Sequence, residues 1–114
     1  MVTGFAGTGF RIDGETYAAA LLTPDGVAAW DAPALGDLTA DDVAALLALD
    51  PPPEFLLLGT GATMARPPRA FVNALEARGI GVEPMDSRAA ARAWAVLRAE
   101  ERWIAAALLP VSTI

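Results

Sequence analysis

The sequence of 114 residues contains no cysteine, no histidine and no lysine. The absence of cysteine excludes disulfides, thiolate nucleophiles and cysteine-bound zinc or iron–sulfur clusters. The absence of histidine and lysine excludes nucleophilic catalysis by Ser-His-Asp, Cys-His and Ser-Lys arrangements. A carboxylate remains as a general base, but raising its pKa from about 4 towards 7 requires roughly 4 kcal/mol from burial or a second carboxylate. We therefore predict no catalytic residues.

Basic charge is also scarce in this chain. The chain has fourteen carboxylates and eight arginines, which gives a net charge of -6. The arginines are scattered and do not form a cluster in the sequence. Nucleic-acid binding depends on clustered basic side chains that neutralise phosphates, and an anionic membrane surface requires the same. The composition therefore predicts binding to neither. No calcium-loop spacing is present either. We predict no metal site and no cofactor.

Long apolar segments are missing as well. The longest apolar run, residues 103–111, falls well short of the roughly 20 residues of a membrane-spanning helix. The first residues show no basic stretch followed by an apolar one, so no signal peptide is predicted. We expect a cytoplasmic protein without membrane insertion. Its length indicates one domain, residues 1–114, around a single core.

The amino-terminal third predicts an antiparallel meander. Asp13-Gly14 suits a two-residue hairpin turn between residues 10–12 and residues 15–17. A second turn follows at residues 23–26, where Pro24 presets φ and Gly26 is expected to take the left-handed position. This turn joins residues 18–22 to residues 27–30. Three strands are therefore expected before residue 32.

The hydrophobic period then changes from two to about 3.6, which indicates a helix beginning at Thr39. Thr39 is its predicted N-cap, and the prolines at 51–53 end it. The apolar stripe of this helix comprises Val43, Leu46 and Leu47. Residues 55–58 are apolar on both faces, as in a buried parallel strand.

Two further helices and two further strands complete the pattern. Pro67 and Pro68 open a helix that places Phe71 and Leu75 on one face and ends at Gly79, a residue able to adopt the left-handed conformation. Residues 80–83 form the next strand, a helix capped by Asp86 or Ser87 follows, and residues 103–109 form the last strand. The inward residues of that helix are predicted to be Ala90, Ala93, Trp94 and Leu97. This alternation predicts an α/β domain with helices on its sheet and the meander attached.

Three segments carry a family resemblance. They are Leu58-Gly59-Thr60-Gly61, the segment from Arg78 to Ser87 that reads Arg-Gly-Ile-Gly-Val-Glu-Pro-Met-Asp-Ser, and Ala105-Ala106-Ala107-Leu108. In their order and separation they resemble the Mth-nine-thirty-eight-like domain family, a domain of unknown function whose eukaryotic relative is mitochondrial complex I assembly factor 3. The resemblance implies a three-layer α/β fold around a mixed central sheet. It also implies a non-catalytic interaction or assembly-type role, since the eukaryotic relative is an assembly factor and no activity is established for the family.

One position departs from the family pattern. After the aromatic residue at Trp94 the family usually carries asparagine, and this chain has Ala95. If that amide belongs to a functional pocket, the pocket is lost or altered here.

The first candidate site is Gly59-Thr60-Gly61, which follows a predicted buried strand. Backbone N–H groups at the end of such a strand can meet an anion. The motif lacks the third glycine of a dinucleotide fingerprint and the Gly-Lys-Ser/Thr of a P-loop. A strand exit that needs flexible backbone explains the same glycines better than ligand contact does.

The second candidate site is the group Glu83, Asp86, Ser87 and Arg88, where a strand meets a helix amino terminus. This group could form an anion or substrate pocket, although helix capping explains Asp86 or Ser87 without any ligand. Arg88 and Arg92 lie four residues apart and could clamp a carboxylate or phosphate. We include Arg88 with Glu83, Asp86, Ser87 and the Gly59–Gly61 segment as the predicted ligand-binding residues.

Three hypotheses remain open on these observations. The leading hypothesis is a non-catalytic interaction or assembly-type factor that holds an unknown protein partner. The alternative is a small-molecule or anion-binding protein, or a carboxylate-dependent enzyme, with its pocket near Gly59–Gly61 and Glu83–Arg88. A third, weaker hypothesis is a homo-oligomer in which Trp94 or Trp103 packs across a twofold axis.

Overall fold

The computed structural model describes residues 2–6, 9–12 and 15–111. Within them the strands, in chain order, are β1 (Val2–Ala6), β2 (Gly9–Ile12), β3 (Glu15–Tyr17), β4 (Ala20–Thr23), β5 (Gly26–Ala29), β6 (Phe55–Gly59), β7 (Gly81–Met85) and β8 (Ala105–Leu108). The α-helices are α1 (Ala44–Leu47), α2 (Arg69–Glu76) and α3 (Ser87–Ala99), and short 3-10 helices occupy Leu35–Asp37 and Ala40–Val43.

The strands form two sheets. The central sheet has the order β5-β4-β8-β6-β7, and the smaller sheet has the order β1-β2-β3. Strand β6 runs parallel to both β7 and β8, whereas β4 runs antiparallel to both β5 and β8. The central sheet is therefore mixed, and the antiparallel β1-β2-β3 sheet is attached to it. The predicted α/β architecture with a mixed central sheet is confirmed.

The predicted number of strands before residue 32 is wrong, because five strands lie there instead of three. The chain bends at Ala18 and Ala19 and passes from the small sheet to the central one. Two alanines carry no turn signal, so the sequence indicated no break at this point. The predicted Asp13-Gly14 turn lies outside the described residues, although Ile12 and Glu15 on either side of it are paired.

The turn between β4 and β5 also differs in detail from its prediction. Gly26 does not take the left-handed conformation, since it is the first residue of β5 and pairs with Thr23. Pro24 and Asp25 make the turn instead. The hydroxyl oxygen of Thr23 accepts a hydrogen bond from the N–H of Asp25 at 3.2 Å, and this local bond stabilises the turn without a left-handed residue.

Two apolar clusters, one on each face of the central sheet, make up the core. Along β6, Leu57 packs in one cluster with Trp94 of α3, whereas Leu56 and Leu58 pack in the other with Phe71 of α2. Successive side chains of a strand point to opposite faces, so β6 must be apolar on both. The sheet is thus the middle of three layers, between α3 on one face and α1 and α2 on the other.

The helix predicted from Thr39 is shorter than expected. A 3-10 helix over Ala40–Val43 comes first, and only one turn of α-helix follows. The carboxylate of Asp42 accepts hydrogen bonds from the N–H of Thr39 at 2.8 Å and from its hydroxyl at 3.0 Å. The indole N–H of Trp30 donates to the carbonyl of Asp42 at 2.9 Å, which ties this segment to the end of β5.

The other two helices follow their predictions closely. Phe71 and Leu75 are the buried residues of α2, and Gly79 beyond its end has φ of 78°. Asp86 is the N-cap of α3. The buried side chains of α3 include Ala90 and Trp94, while Ala93 and Leu97 are partly buried against the same cluster. The strands after α2 and α3 lie at 81–85 and 105–108, within two residues of their predicted starts and ends.

Candidate functional site

The predicted ligand-binding residues come together where the carboxyl end of β6 meets the amino end of α3. Gly59 is the last residue of β6, and Ser87 is the first residue of α3. A Cβ atom placed on Gly59 would lie 2.7 Å from the Oγ of Ser87 and 2.8 Å from its Cα. Since Cβ atoms do not approach other atoms this closely, the contact between strand and helix requires glycine at position 59.

Ser87 joins three chain segments through its hydroxyl and its backbone. Its side chain is fully buried. The hydroxyl donates to the carbonyl of Leu109 at 2.7 Å and accepts from the N–H of Gly61 at 2.9 Å. The N–H of Ser87 donates to the carbonyl of Gly61 at 2.9 Å. The hydroxyl is therefore used within the protein, both as a donor and as an acceptor.

Thr60 organises the loop that follows β6. The side chain is 8% exposed, and its hydroxyl donates to the carbonyl of Thr63 at 2.8 Å while accepting from the N–H of Ala65 at 3.0 Å. Its N–H donates to the carbonyl of Met85 at the end of β7 at 2.8 Å. These bonds hold the loop against the neighbouring strand, and they engage the polar atoms of Thr60.

Gly61 has φ of 117°, a backbone conformation that residues other than glycine rarely adopt. Its N–H and its carbonyl both bond to Ser87, as described above. The other glycine of the pair, Gly59, accepts a hydrogen bond from the N–H of Leu109 at 3.0 Å. The N–H groups of Thr60 and Gly61, two of those expected to meet an anion, are thus occupied by internal partners.

The charged residues of the predicted site lie at its rim. Asp86 is half-buried, and its carboxylate caps α3 by accepting from the N–H of Ala89 at 2.9 Å. Glu83 on β7 and Arg88 on α3 are exposed, as is Arg92. Of the predicted ligand-binding residues, Glu83 and Arg88 therefore carry the exposed charges. Ala95, where the family carries asparagine, is half-buried further along α3.

The polar chemistry of this region is satisfied internally. Among the side chains that the structure describes, those of residue 10 and residues 17–111, no buried nitrogen or oxygen lacks a hydrogen-bond partner. In the same part of the chain, no group of three or more acidic side chains is placed to hold a metal ion. A ligand bound here would contact the exposed side chains of Glu83 and Arg88, because the buried hydroxyls already have partners.

A groove that the sequence did not predict lies at the opposite edge of the central sheet. It has a volume of about 220 Å³ and is open to solvent. The residues that line it include Leu21, Thr23, Asp25, Gly26, Ala28 and Leu46. None of the predicted ligand-binding residues belongs to it. The signal in the sequence is weak: a strand of small residues, Gly-Val-Ala-Ala, that follows a turn.

An ion pair braces the beginning of β6. Arg102 donates to Glu54 through Nε and Nη2, both at 3.1 Å, and its guanidinium lies 5.8 Å from the centre of the Phe55 ring. The hydrogen bonds from Arg102 lower the pKa of the Glu54 carboxyl. The N–H of Glu54 also donates to the carbonyl of Trp103 at 2.8 Å. This brace lies at the end of the strand away from the candidate site.

Two of the three tryptophans, Trp94 and Trp103, are predicted contacts between copies. Trp94 is 6% exposed and packs within the core of its own chain, so it offers little surface to a second copy. Trp103 is half-buried, and its indole N–H donates to the carbonyl of Pro51 at 2.6 Å. Among the described residues, no helix has both the length and the apolar character needed to cross a membrane.

Comparison with known proteins places these features in a family context. Residues 2–109 match the sequence profile of a family described as "Protein of unknown function (DUF498/DUF598)". An uncharacterised protein of Rhodobacter capsulatus is 37% identical over 111 residues, covering 96% of this chain and 84% of that protein. NADH dehydrogenase (ubiquinone) 1 alpha subcomplex assembly factor 3 of Danio rerio is 31% identical over 111 residues, covering 96% of this chain and 64% of that protein. The chain thus spans less than two thirds of that assembly factor.

A solved structure matches the fold over nearly the whole chain. The solution structure of a Bordetella pertussis protein, described as a Mth938-like domain, superposes with a TM-score of 0.83 at 30% identity. The match covers 98% of this chain and 86% of that protein. It confirms the fold implied by the three segments that carry the family resemblance.

Proposed function

This chain belongs to the family of proteins of unknown function (DUF498/DUF598), with the fold of the Mth938-like domains, and from that premise we propose that it is a non-catalytic interaction or assembly-type factor that holds a protein partner. The family contains complex I assembly factors at low identity together with uncharacterised bacterial proteins. A subunit of an NADH dehydrogenase-type complex is the first partner to test, since the zebrafish relative is named for such an assembly.

The observation that carries this proposal is the hydrogen bonding of Ser87. Its hydroxyl lies between Gly61 and Leu109 and bonds to both, as a structural residue does. A site built for small-molecule chemistry would hold buried polar groups available to a substrate. The described residues support an architectural role for this strand end, and binding to a protein can use the outer surface.

Affinity purification from the native host, followed by quantitative mass spectrometry, tests the proposed function. We expect a protein partner to be enriched above an unrelated tagged protein of similar size and charge. A purification without any enriched protein, together with thermal stabilisation of the chain by one metabolite from a library, would overturn the proposal in favour of ligand binding.

The competing proposal places a small anion against the exposed charges at the rim of the predicted site. The observation that favours it is the exposure of Arg88 beside the amino end of α3. Arg88→Ala should then abolish the thermal stabilisation that the anion produces, whereas Arg69→Ala, which removes an exposed arginine at the start of α2, should leave it unchanged. Equal stabilisation of both variants would remove Arg88 from the proposed site.

A further inference from the structure

Strand β5 forms one edge of the central sheet, and its outer side is available for pairing. The N–H of Trp30 donates to the carbonyl of Ala19 at 3.2 Å. In an antiparallel ladder, residues that bond to the neighbouring strand alternate with residues that do not, so Ala28 and Gly26 also bond to β4. The backbone groups of Val27 and Ala29 consequently point away from β4. Within the part of the chain that the structure describes, neither residue has a hydrogen bond from these outward groups.

The two edges of the central sheet differ in how they are protected. The opposite edge, β7, contains Pro84, which has no N–H to donate, and the exposed charge of Glu83. Proline and charge are the usual means by which proteins prevent pairing at a sheet edge. Strand β5 itself reads Gly-Val-Ala-Ala and contains neither. A free edge of this kind is a template for an added strand.

The open groove lies beside this edge, on the face of the sheet that carries α1. Leu21 of β4 is paired with Ala28 of β5, and Leu46 of α1 lines the same groove. A Cβ atom placed on Gly26 would have no neighbour within 4 Å, which shows how much space the small residues leave. An added strand directs every second side chain to this face, so the groove can receive an apolar side chain of that strand.

The charge around the edge specifies what kind of strand would bind. Nine of the fourteen carboxylates precede residue 65, but only one of the eight arginines does. Three exposed aspartates lie around this edge. Asp25 lines the groove, and Asp31 follows the end of β5. Asp41 precedes α1 and lies four residues before Ala45, which also lines the groove. Carboxylates flanking an apolar edge favour a partner segment in which basic side chains flank apolar ones.

A second copy of this chain is a poor occupant of the same edge. In a twofold antiparallel pairing that aligns Val27 with Ala29, Asp25 of one copy would stand opposite Asp31 of the other. Like charges directly opposite each other destabilise a strand pair. The net charge of -6 on each copy adds to the repulsion. Edge-to-edge dimerisation through β5 is therefore disfavoured.

We propose that β5 is a docking edge to which a protein partner adds an extended segment of alternating basic and apolar residues as a sixth strand of the central sheet. This inference rests on the proposed function, since it names the surface and the partner chemistry for partner binding. The hydrogen bonds of the added strand are made to the backbone of Val27 and Ala29, the groove holds one apolar side chain, and Asp25 and Asp31 attract the basic ones.

A model peptide tests the edge without knowledge of the natural partner. The probe is a blocked peptide with the sequence Arg-Val-Arg-Val-Arg-Val-Arg, and the control probe has glutamate in place of arginine. In amide hydrogen exchange followed by NMR, the arginine peptide should slow the exchange of the Val27 and Ala29 N–H groups, and the glutamate peptide should not. Binding of the arginine peptide without slower exchange at these two amides would contradict the proposal, as would a failure of this peptide to bind at millimolar concentration.

Two substitutions at one position separate backbone pairing from other effects. Val27→Pro removes an outward N–H that no group of the described chain uses, so the sheet itself retains its ladder. It should weaken peptide binding about tenfold or more, because one hydrogen bond is lost and the proline ring obstructs the edge. Val27→Thr keeps the N–H and the β-branched shape and should bind within about twofold of the wild type. Circular dichroism and thermal unfolding verify that each variant is folded. If Val27→Pro does not fold, Ala29→Pro replaces it, because it also removes an outward N–H of β5.

A charge-removing pair tests the predicted chemistry of the partner. Asp25→Asn combined with Asp31→Asn should weaken binding of the arginine peptide about fivefold at low salt and reduce its salt dependence. The control, Glu76→Gln combined with Glu100→Gln, removes two exposed carboxylates elsewhere and should have little effect. Equal losses in the two double variants would show that only the net charge matters and would overturn the specific role of this edge.

The natural partner distinguishes this inference from the proposed function. Affinity purification should recover the partner with the wild type and with Val27→Thr, but not with Val27→Pro. Equal recovery with Val27→Pro would refute the docking edge and leave the interaction function standing. A wild type that enriches no protein would refute the interaction function, and the peptide measurements then decide the edge by themselves.

Discussion

At the scale of single residues, the contact between Gly59 and Ser87 determines how closely α3 approaches the end of β6. The glycine has no side chain to keep the helix away, and the serine offers a small hydroxyl that bonds to the backbone on either side. The pair therefore has a structural explanation that depends on size and hydrogen bonding together. Each part of that explanation can be tested separately.

Gly59→Ala should destabilise the protein by about 1–3 kcal/mol, because the new methyl group would overlap with Ser87 and force the strand and helix apart. Urea unfolding monitored by tryptophan fluorescence measures the change. Gly36→Ala is the matched control, since a Cβ atom at that exposed position has no neighbour within 4 Å. A loss of stability no larger in Gly59→Ala than in Gly36→Ala would contradict the close contact.

Ser87→Ala should cost about 1–3 kcal/mol of unfolding free energy, because it leaves the buried N–H of Gly61 and the carbonyl of Leu109 without their common partner. Thr63→Ala removes a hydroxyl from an exposed residue and serves as the control. Two unfolding curves in urea are sufficient for the comparison. If the protein retains full stability without the Ser87 hydroxyl, the hydroxyl is not structural, and the case for a ligand contact at this residue becomes stronger.

At the scale of secondary-structure elements, the beginning of β6 is held by the ion pair between Glu54 and Arg102. These residues lie just outside β6 and β8, the two neighbouring parallel strands, and the pair fastens the segments that precede them. Both side chains are partly accessible to solvent. Water therefore screens the pair, and its contribution to stability is small but depends on pH.

Glu54→Gln should change the pH dependence of stability in the acid range. The pKa of Glu54 is lowered from its ordinary value of 4.5 in the folded protein, chiefly by hydrogen bonding to Arg102. A carboxyl with a lowered folded-state pKa stabilises the protein fully above its unfolded pKa, and this stabilisation is lost as the pH falls through the folded pKa.

The measurement is the urea midpoint of the wild type and of Glu54→Gln between pH 7 and pH 3. The stability advantage of the wild type should be constant near neutral pH and should shrink below about pH 4.5. Glu76→Gln, which changes an exposed glutamate of α2, controls for the general loss of a carboxylate. An advantage that persists unchanged at low pH would show that the carboxylate is not its source.

At the scale of the whole molecule, β6 serves both apolar clusters at once. It lies between β8 and β7 in the sheet, and its successive leucines face α2 and α3 alternately. The sheet also separates two regions of different character. The predicted site near β6 and β7 is closed by internal hydrogen bonds, whereas the β5 edge is open, apolar and flanked by acidic residues.

Leu57→Ala should destabilise the protein by about 2–5 kcal/mol, since Leu57 is 2% exposed and packs in the cluster that contains Trp94. Val96→Ala removes apolar atoms from a side chain of α3 that is 59% exposed, and it should change stability by less than about 0.5 kcal/mol. Thermal unfolding followed by circular dichroism gives both values. Similar effects of the two substitutions would contradict the assignment of Leu57 to the core.

Much of the fold was predictable because its signals are local in the sequence. The period of Phe71 and Leu75, the left-handed Gly79 and the N-cap Asp86 each depend on residues within a turn or two of chain. The bend at Ala18 and Ala19 has no such signal, so the sequence pattern predicts one meander where the structure has two sheets. At Gly26 the hydroxyl of Thr23 stabilised the turn, and the glycine remained in the extended strand.

The candidate site was predictable as a group of residues but not as a set of contacts. The positions of Gly59 and Ser87 at a strand end and a helix start follow from the sequence pattern. That the Ser87 hydroxyl is engaged by Gly61 and Leu109 does not, because these partners lie 26 and 22 residues away along the chain. The groove beside β5 was missed for the same reason, since it forms between residues of two strands and a helix.

The sequence by itself determined the exclusions and the local elements. A chain without cysteine, histidine and lysine lacks the corresponding chemistry however it folds, and caps and periodicities act between neighbours. Tertiary structure alone decided the strand order, the internal satisfaction of the buried hydroxyls and the exposure of β5. These properties arise from pairing between distant segments, because a hydrogen-bond donor in a folded chain is available to a partner only if no remote part of the same chain has already occupied it.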